Sequence, residues 1–102
     1  MTQKLKLVQT QLGKTVQLLG DQTAISLLHA LTTAQRFSQL EQQLHVSTKT
    51  LSQRLKLLEE QGLITRTFYP EIPPKTVYQL TTKGKEFLSL LQGLIEWEGS
   101  WE

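Results

Sequence analysis

Cysteine is absent from all 102 residues, which excludes disulfides, thiolate metal sites and thiol redox switching. Histidine occurs only as His29 and His45. Neither has acids or a second ligand at metal-binding spacing, so neither a metal nor a cofactor is expected. No apolar run approaches the roughly 18 residues of a membrane-spanning helix, and no membrane partner is expected. The opening stretch MTQKLKLVQTQLGK has too short an apolar segment, and no small-residue cleavage site, for a signal peptide. The cytoplasm is therefore the expected location. No nucleophile–base pair and no phosphate-cradling glycine loop is found, so the chain is not expected to be an enzyme. Internal repeats, low-complexity segments and linkers are also missing, which leaves residues 1–102 as a single domain.

Charge is scarce in total but unevenly placed. The net charge is +2, yet residues 1–85 hold all eleven Lys and Arg against five acids, and residues 86–102 hold four Glu and no base. A basic body with an acidic tail is compatible with a polyanion on one side, or with ordinary solubilising charge.

Leu5, Val8, Leu12, Val16 and Leu19 recur three and four apart, predicting an amphipathic helix over 4–19. Gly13 inside it lowers helix stability and marks a candidate break. Asp21 is a plausible N-cap for a helix over 22–31, with Ile25, Leu27, Leu28 and Leu31 as core candidates. A short extended piece is expected at 34–37. Ser38 and Glu41 form an S-x-x-E capping box opening a helix to about Leu44, and His45-Val46 makes a tight connection.

The most informative stretch is Ser47 to Arg66, STKTLSQRLKLLEEQGLITR. Ser47 is an N-cap. Leu51, Leu55 and Leu58 fall on one helix face, and Gly62 is a C′ stop. At about 100° per residue, Lys49, Gln53 and Lys56 lie opposite Leu51, with Ser52 on the flank. Amides, a hydroxyl and cations on one exposed face suit base edges and phosphates in a DNA major groove; an ordinary solvated surface helix has the same pattern. After Gly62 the period changes. Leu63 to Tyr69 and Thr76 to Leu80 read as two strands around the proline-rich tip Pro70-Glu71-Ile72-Pro73-Pro74. Thr81 or Thr82 then caps a last helix to about Trp97, with Phe87, Leu88, Leu91 and Ile95 on one side and fraying expected at Gly99-Ser100.

This order is mainly α with a small β-hairpin (α+β). It describes a winged helix-turn-helix with extra N- and C-terminal dimerisation helices at 1–19 and 82–98. The helix-turn-helix is expected at 38–61 and the wing at 63–81, with the short strand 34–37 joining the wing's sheet.

RFSQLEQQL at 36–44 and VSTKTLSQRLKLLEEQGLITRTFYPEIPPKTVYQLTTKGKEFLSLL at 46–91 resemble the HxlR-type bacterial transcriptional regulators. The family's R-F-x-x-L falls on Arg36, Phe37 and Leu40, and its Q-R-L-x-x-L-E-x-x-G-L on Gln53 to Leu63. Its wing string R-x-x-Y-P-x-x-P-P-x-x-x-Y-x-L-T falls on Arg66 to Thr81, and its last-helix glycine on Gly84. The match spans roughly 15–97, and the tandem-proline string is highly specific. The resemblance implies a homodimer that binds double-stranded DNA at a pseudo-palindromic operator, with the terminal helices in contact across the dimer. Family members usually carry a cysteine near the N-terminus, which serves as a sensor in some; this chain has none. The family's G-G-K-W reads here Gly20-Asp21-Gln22-Thr23.

Thr48, Lys49, Ser52 and Gln53 are the expected base-edge contacts, with Gln53 suited to bidentate pairing with adenine; Lys49 equally suits a phosphate. Lys56 is an expected phosphate contact. Arg54 lies nearer the leucine side, where a phosphate contact and a salt bridge to an acid such as Glu41 are equally open. Arg36 suits a backbone phosphate or a surface pair, and Lys75 at the wing tip a minor-groove or phosphate contact, or solvent alone. Tyr69 and Tyr78 suit wing packing more than base stacking. Trp97 and Trp101 suit a dimer interface or terminal packing. The alternative for the whole chain is a winged-helix protein-interaction module without a specific DNA site.

Overall fold

The structure is a computed structural model that describes residues 13–14 and 17–101. Of the helix expected over 4–19, Gly13, Lys14 and residues 17–19 are described and are helical; the rest lies outside the described residues. The elements that follow are α1 (Gln22–Ala30), β1 (Gln35–Arg36), α2 (Phe37–Leu44), α3 (Thr48–Glu60), β2 (Ile64–Tyr69), β3 (Lys75–Leu80) and α4 (Thr82–Gly99). The three strands form an antiparallel sheet in the order β1-β3-β2. A helix-turn-helix followed by a hairpin whose sheet takes in β1 is a winged helix.

Three of the helices start where a side chain can accept an orphan backbone N–H. Asp21 Oδ1 accepts from Ala24 at 2.9 Å, Ser47 Oγ from Thr50 at 3.1 Å, and Thr81 Oγ1 from Gly84 at 3.0 Å. The start of α2 departs from the expected capping box. The Gln39 side chain, not Glu41, reaches back to the backbone N–H of Arg36 at 2.8 Å. That contact sets Arg36 as N-cap and turns Phe37 into the helix, so the strand ends at Arg36 and the helix begins one residue before Ser38. Between α2 and α3 the chain turns through His45 in the left-handed region, at φ 52°.

The core is almost wholly aliphatic. Leu27 and Leu28 of α1, with Leu31 at its C-cap, meet Leu40 of α2 and Leu51, Leu55 and Leu58 of α3. Ile64, Tyr78 and Leu80 of the wing, with Leu91 of α4, close it on the other side. Each fully buried leucine contributes roughly 1.5–3 kcal/mol relative to exposure, so the leucine stripe of α3 fixes which of its faces remains outside. Among the described residues no buried side-chain nitrogen or oxygen lacks a partner.

Gly62 ends α3 at φ +74°, the left-handed C′ position. The Gly62 N–H donates to Glu59 O at 3.0 Å and the Leu63 N–H to Leu58 O at 3.0 Å, a complete Schellman motif. The Leu63 carbonyl then accepts the Thr81 N–H at 3.0 Å. Gly84 packs against that same carbonyl so closely that a Cβ would fall 2.0 Å from its oxygen.

α4 runs further than expected. It continues to Gly99, with the Ser100 N–H donating to Glu96 O at 3.1 Å and the Ser100 hydroxyl to Trp97 O at 2.6 Å, so Gly99-Ser100 is held rather than frayed. Leu91 is buried and Phe87 and Leu88 are half-buried, as the pattern predicts. Ile95, further along the same side, is exposed, because the helix has by then run past the packed body.

Candidate nucleic-acid interface

α3 buries Leu51, Leu55 and Leu58 and leaves Thr48, Lys49, Ser52, Gln53 and Lys56 exposed. Beside it, Ser52, Lys56 and Glu59 join Arg66 and Tyr78 in an open cleft of about 360 Å³ between α3 and the wing. Arg66 is thereby drawn to the same face as two of the expected contact residues.

Arg36 and Lys75, far apart in the sequence, come together in the fold. Arg36 pairs with Val77 across β1 and β3, two residues along from Lys75. Both line a cleft of about 310 Å³ with Phe37, Ser38, Pro74 and Thr76. The N-terminus of α2 opens on this cleft, and backbone N–H groups at a helix start favour an anion. Lys75 is also held locally. Its Nζ lies 3.3 Å from Glu71 Oε1 and 5.0 Å from the centroid of the Tyr69 ring. Tyr78 is buried and packs the wing, while Tyr69 stays at the surface beneath Lys75.

Arg54 stands apart from the exposed row. Its Nε donates to Asp21 Oδ2 at 2.6 Å, and both side chains are largely covered, at 32% and 23% exposure. The acid partner is thus Asp21, not Glu41. Glu41 instead accepts the Thr48 hydroxyl proton at 2.8 Å. Among the described residues no group of His, Asp or Glu could hold a metal ion, and no helix is long and apolar enough to cross a membrane.

The HxlR-like helix-turn-helix family matches residues 18–102. This chain belongs to that family. It is 41% identical over 98 residues to an uncharacterized HTH-type transcriptional regulator of Halalkalibacterium halodurans, covering 92% of this chain and 87% of the relative. Among solved structures, the reduced form of the transcriptional regulator YodB from B. subtilis superposes with a TM-score of 0.78 at 30% identity, over 85% of this chain and 87% of YodB. A structure from Enterococcus faecalis assigned to the MarR family of transcriptional regulators superposes with a TM-score of 0.83 at 26% identity, over 91% of this chain and 86% of that one. Fold and family together are those of helix-turn-helix transcriptional regulators.

Two contacts within this HxlR-like site carry no local sequence signal. The Arg54–Asp21 pair joins residues far apart in the chain, and Thr48–Glu41 spans the turn of the helix-turn-helix. Arg66, the first residue of the family's wing string, stands at the root of the wing and faces Tyr78 across β2 and β3.

Proposed function

We propose that this HxlR-family chain is a homodimeric, sequence-specific DNA-binding regulator of transcription, acting in the cytoplasm on a pseudo-palindromic operator. The helix-turn-helix at 38–61 supplies the reading element, with α3 in the major groove. The wing at 63–81 lies along the flanking backbone or minor groove. Thr48, Lys49, Ser52 and Gln53 face base edges from the exposed side of α3. Arg36, Lys56 and Lys75 meet phosphates. Arg54, held by Asp21, braces α3 against the first helix and offers what remains of its charge to the backbone.

The observation that carries this reading is the exposed row Lys49, Ser52, Gln53 and Lys56, set directly behind the buried Leu51, Leu55 and Leu58. A cleft shared by Arg36 and Lys75 supports it, since two cations at a helix start suit a phosphate.

The terminal helices, 1–19 and 82–98, are the proposed dimer contact. Leu90, Leu94, Trp97 and Trp101 recur four, three and four apart, and all four are exposed, Trp97 at 64% and Trp101 at 79%. Such a stripe of large apolar groups marks an interface. Two-fold symmetry would then set two copies of α3 about one helical turn of DNA apart or more.

A gel-shift on promoter DNA near the chain's own gene tests the reading. Wild type is expected to retain one duplex specifically at physiological salt, and Lys49→Ala with Gln53→Ala to lose that retention. Unchanged specific binding by the double variant would displace α3 as the reading helix.

A further inference from the structure

The first turn of α3 contains a hydrogen bond that decides what one of its hydroxyls can recognise. Thr48 Oγ1 lies 2.8 Å from Glu41 Oε2. Among the described residues the ion pairs are Arg54–Asp21 and Lys75–Glu71, so no cation competes for the Glu41 carboxylate. An ionised carboxylate can only accept. The proton in this contact therefore belongs to Thr48, whose hydroxyl has one proton to give and gives it to Glu41. What Thr48 presents outward is the remaining lone-pair density.

We propose that Glu41 is a positioning residue that fixes Thr48 as a pure hydrogen-bond acceptor, and that Thr48 thereby reads an amino-bearing base, adenine or cytosine, in the major groove. The inference rests on the placement of α3 in that groove. Residues at the N-terminal end of a groove-bound helix are those that reach base edges, and Thr48 is the first residue of α3 and is exposed. In the major groove adenine offers its N6 amino group and cytosine its N4 amino group, whereas guanine and thymine offer acceptors at O6, N7 and O4. An acceptor held by Glu41 gains a hydrogen bond from the first pair and meets lone-pair repulsion from the second. A hydroxyl without such a partner rotates and satisfies either. Glu41 therefore acts on base choice without touching DNA.

The test is selection from a randomised duplex library with the full chain, followed by affinities for the selected site and for single-base replacements. Wild type is expected to prefer adenine or cytosine at one position by roughly 3- to 10-fold, the range of one neutral hydrogen bond. Glu41→Ala is expected to reduce that preference below about twofold and to leave the other positions of the motif unchanged. Thr48→Val should do the same, and Thr48→Ser should keep the preference. If Glu41→Ala does not fold, Glu41→Gln serves in its place: its neutral amide both donates and accepts, so the same single position should relax. A purely structural role for Glu41 would weaken all sequences equally and move no single position. Motifs of Glu41→Ala and Thr48→Val that superimpose on the wild-type motif would overturn the proposal, as would guanine or thymine as the base that responds to Thr48→Val. Failure of the wild-type chain to select any motif is a different result, which removes the groove placement itself.

Discussion

Arg54 reaches back along the chain to Asp21, Nε to Oδ2 at 2.6 Å, while the other oxygen of the same carboxylate caps the first helix through the Ala24 N–H at 2.9 Å. One side chain thus starts α1 and holds α3 against it. Asp21→Ala should lose the cap, about 1 kcal/mol, and the ion pair, about 1 kcal/mol or less because both groups keep some solvent. Asp21→Asn retains a capping oxygen and should lose only the second part. Urea denaturation measures both, and equal losses in the two variants would show that the cap contributes nothing.

Two glycines on one helix should respond oppositely. A Cβ at Gly84 would fall 2.0 Å from Leu63 O, whereas nothing lies within 4 Å of one at Gly93. Gly84→Ala should cost about 3 kcal/mol or more, since backbone must move. Gly93→Ala should stabilise by up to about 1 kcal/mol through helix propensity. Thermal melts of the two variants check the contrast.

His45 sits at φ 52° in the turn between α2 and α3. A left-handed conformation costs a side-chain-bearing residue about 1–2 kcal/mol. His45→Gly relieves that cost but adds freedom to the unfolded chain, so a net gain below about 1 kcal/mol is expected from chemical denaturation. A loss of stability would mean that the imidazole makes a contact worth more than the strain.

Phosphate contacts leave a signature in salt. Arg36→Ala and Lys75→Ala should each lower the slope of log affinity against log salt by about 1 and weaken all duplexes alike. A variant that changed sequence preference instead would place its residue at a base edge.

Leu94→Glu combined with Trp97→Glu puts charge in the exposed apolar stripe of α4. Sedimentation should show a monomer with unchanged circular dichroism, and operator affinity should fall about 100-fold or more once two half-sites no longer bind together. A dimer of unchanged strength would locate the contact elsewhere.

The local grammar of this chain was legible in its residues; its long-range pairings were not. Asp21, Ser47, Gly62 and Thr81 punctuate the helices because a cap or a left-handed stop needs only neighbours in sequence. At α2 two overlapping patterns competed, Ser38 with Glu41 and Arg36 with Gln39. The second won because Gln39 captures the Arg36 N–H and leaves Glu41 free for Thr48. Helical period places Phe87, Leu88, Leu91 and Ile95 on one side of α4 but does not say where the cover on that side ends, and Ile95 lies beyond it. The partner of Arg54 is set only by the packing of α1 against α3, which brings Asp21 to it. The exposed row on α3 followed directly from the spacing of its leucines, whereas the meeting of Arg36 with Lys75 required the register of β1 on β3.

The junction at Leu63 has a mechanical consequence. The Thr81 hydroxyl donates to Gly62 O at 2.6 Å, Lys83 Nζ to Gln61 O at 2.8 Å, and Gly84 leaves no gap above Leu63. α4 then extends for 18 residues, a rod of roughly 27 Å. Clamped at its base and projecting at its tip, the rod is a lever with its fulcrum where α3 meets the wing. A sideways push on its far end arrives at that fulcrum as torque, with no slack loop between to absorb it.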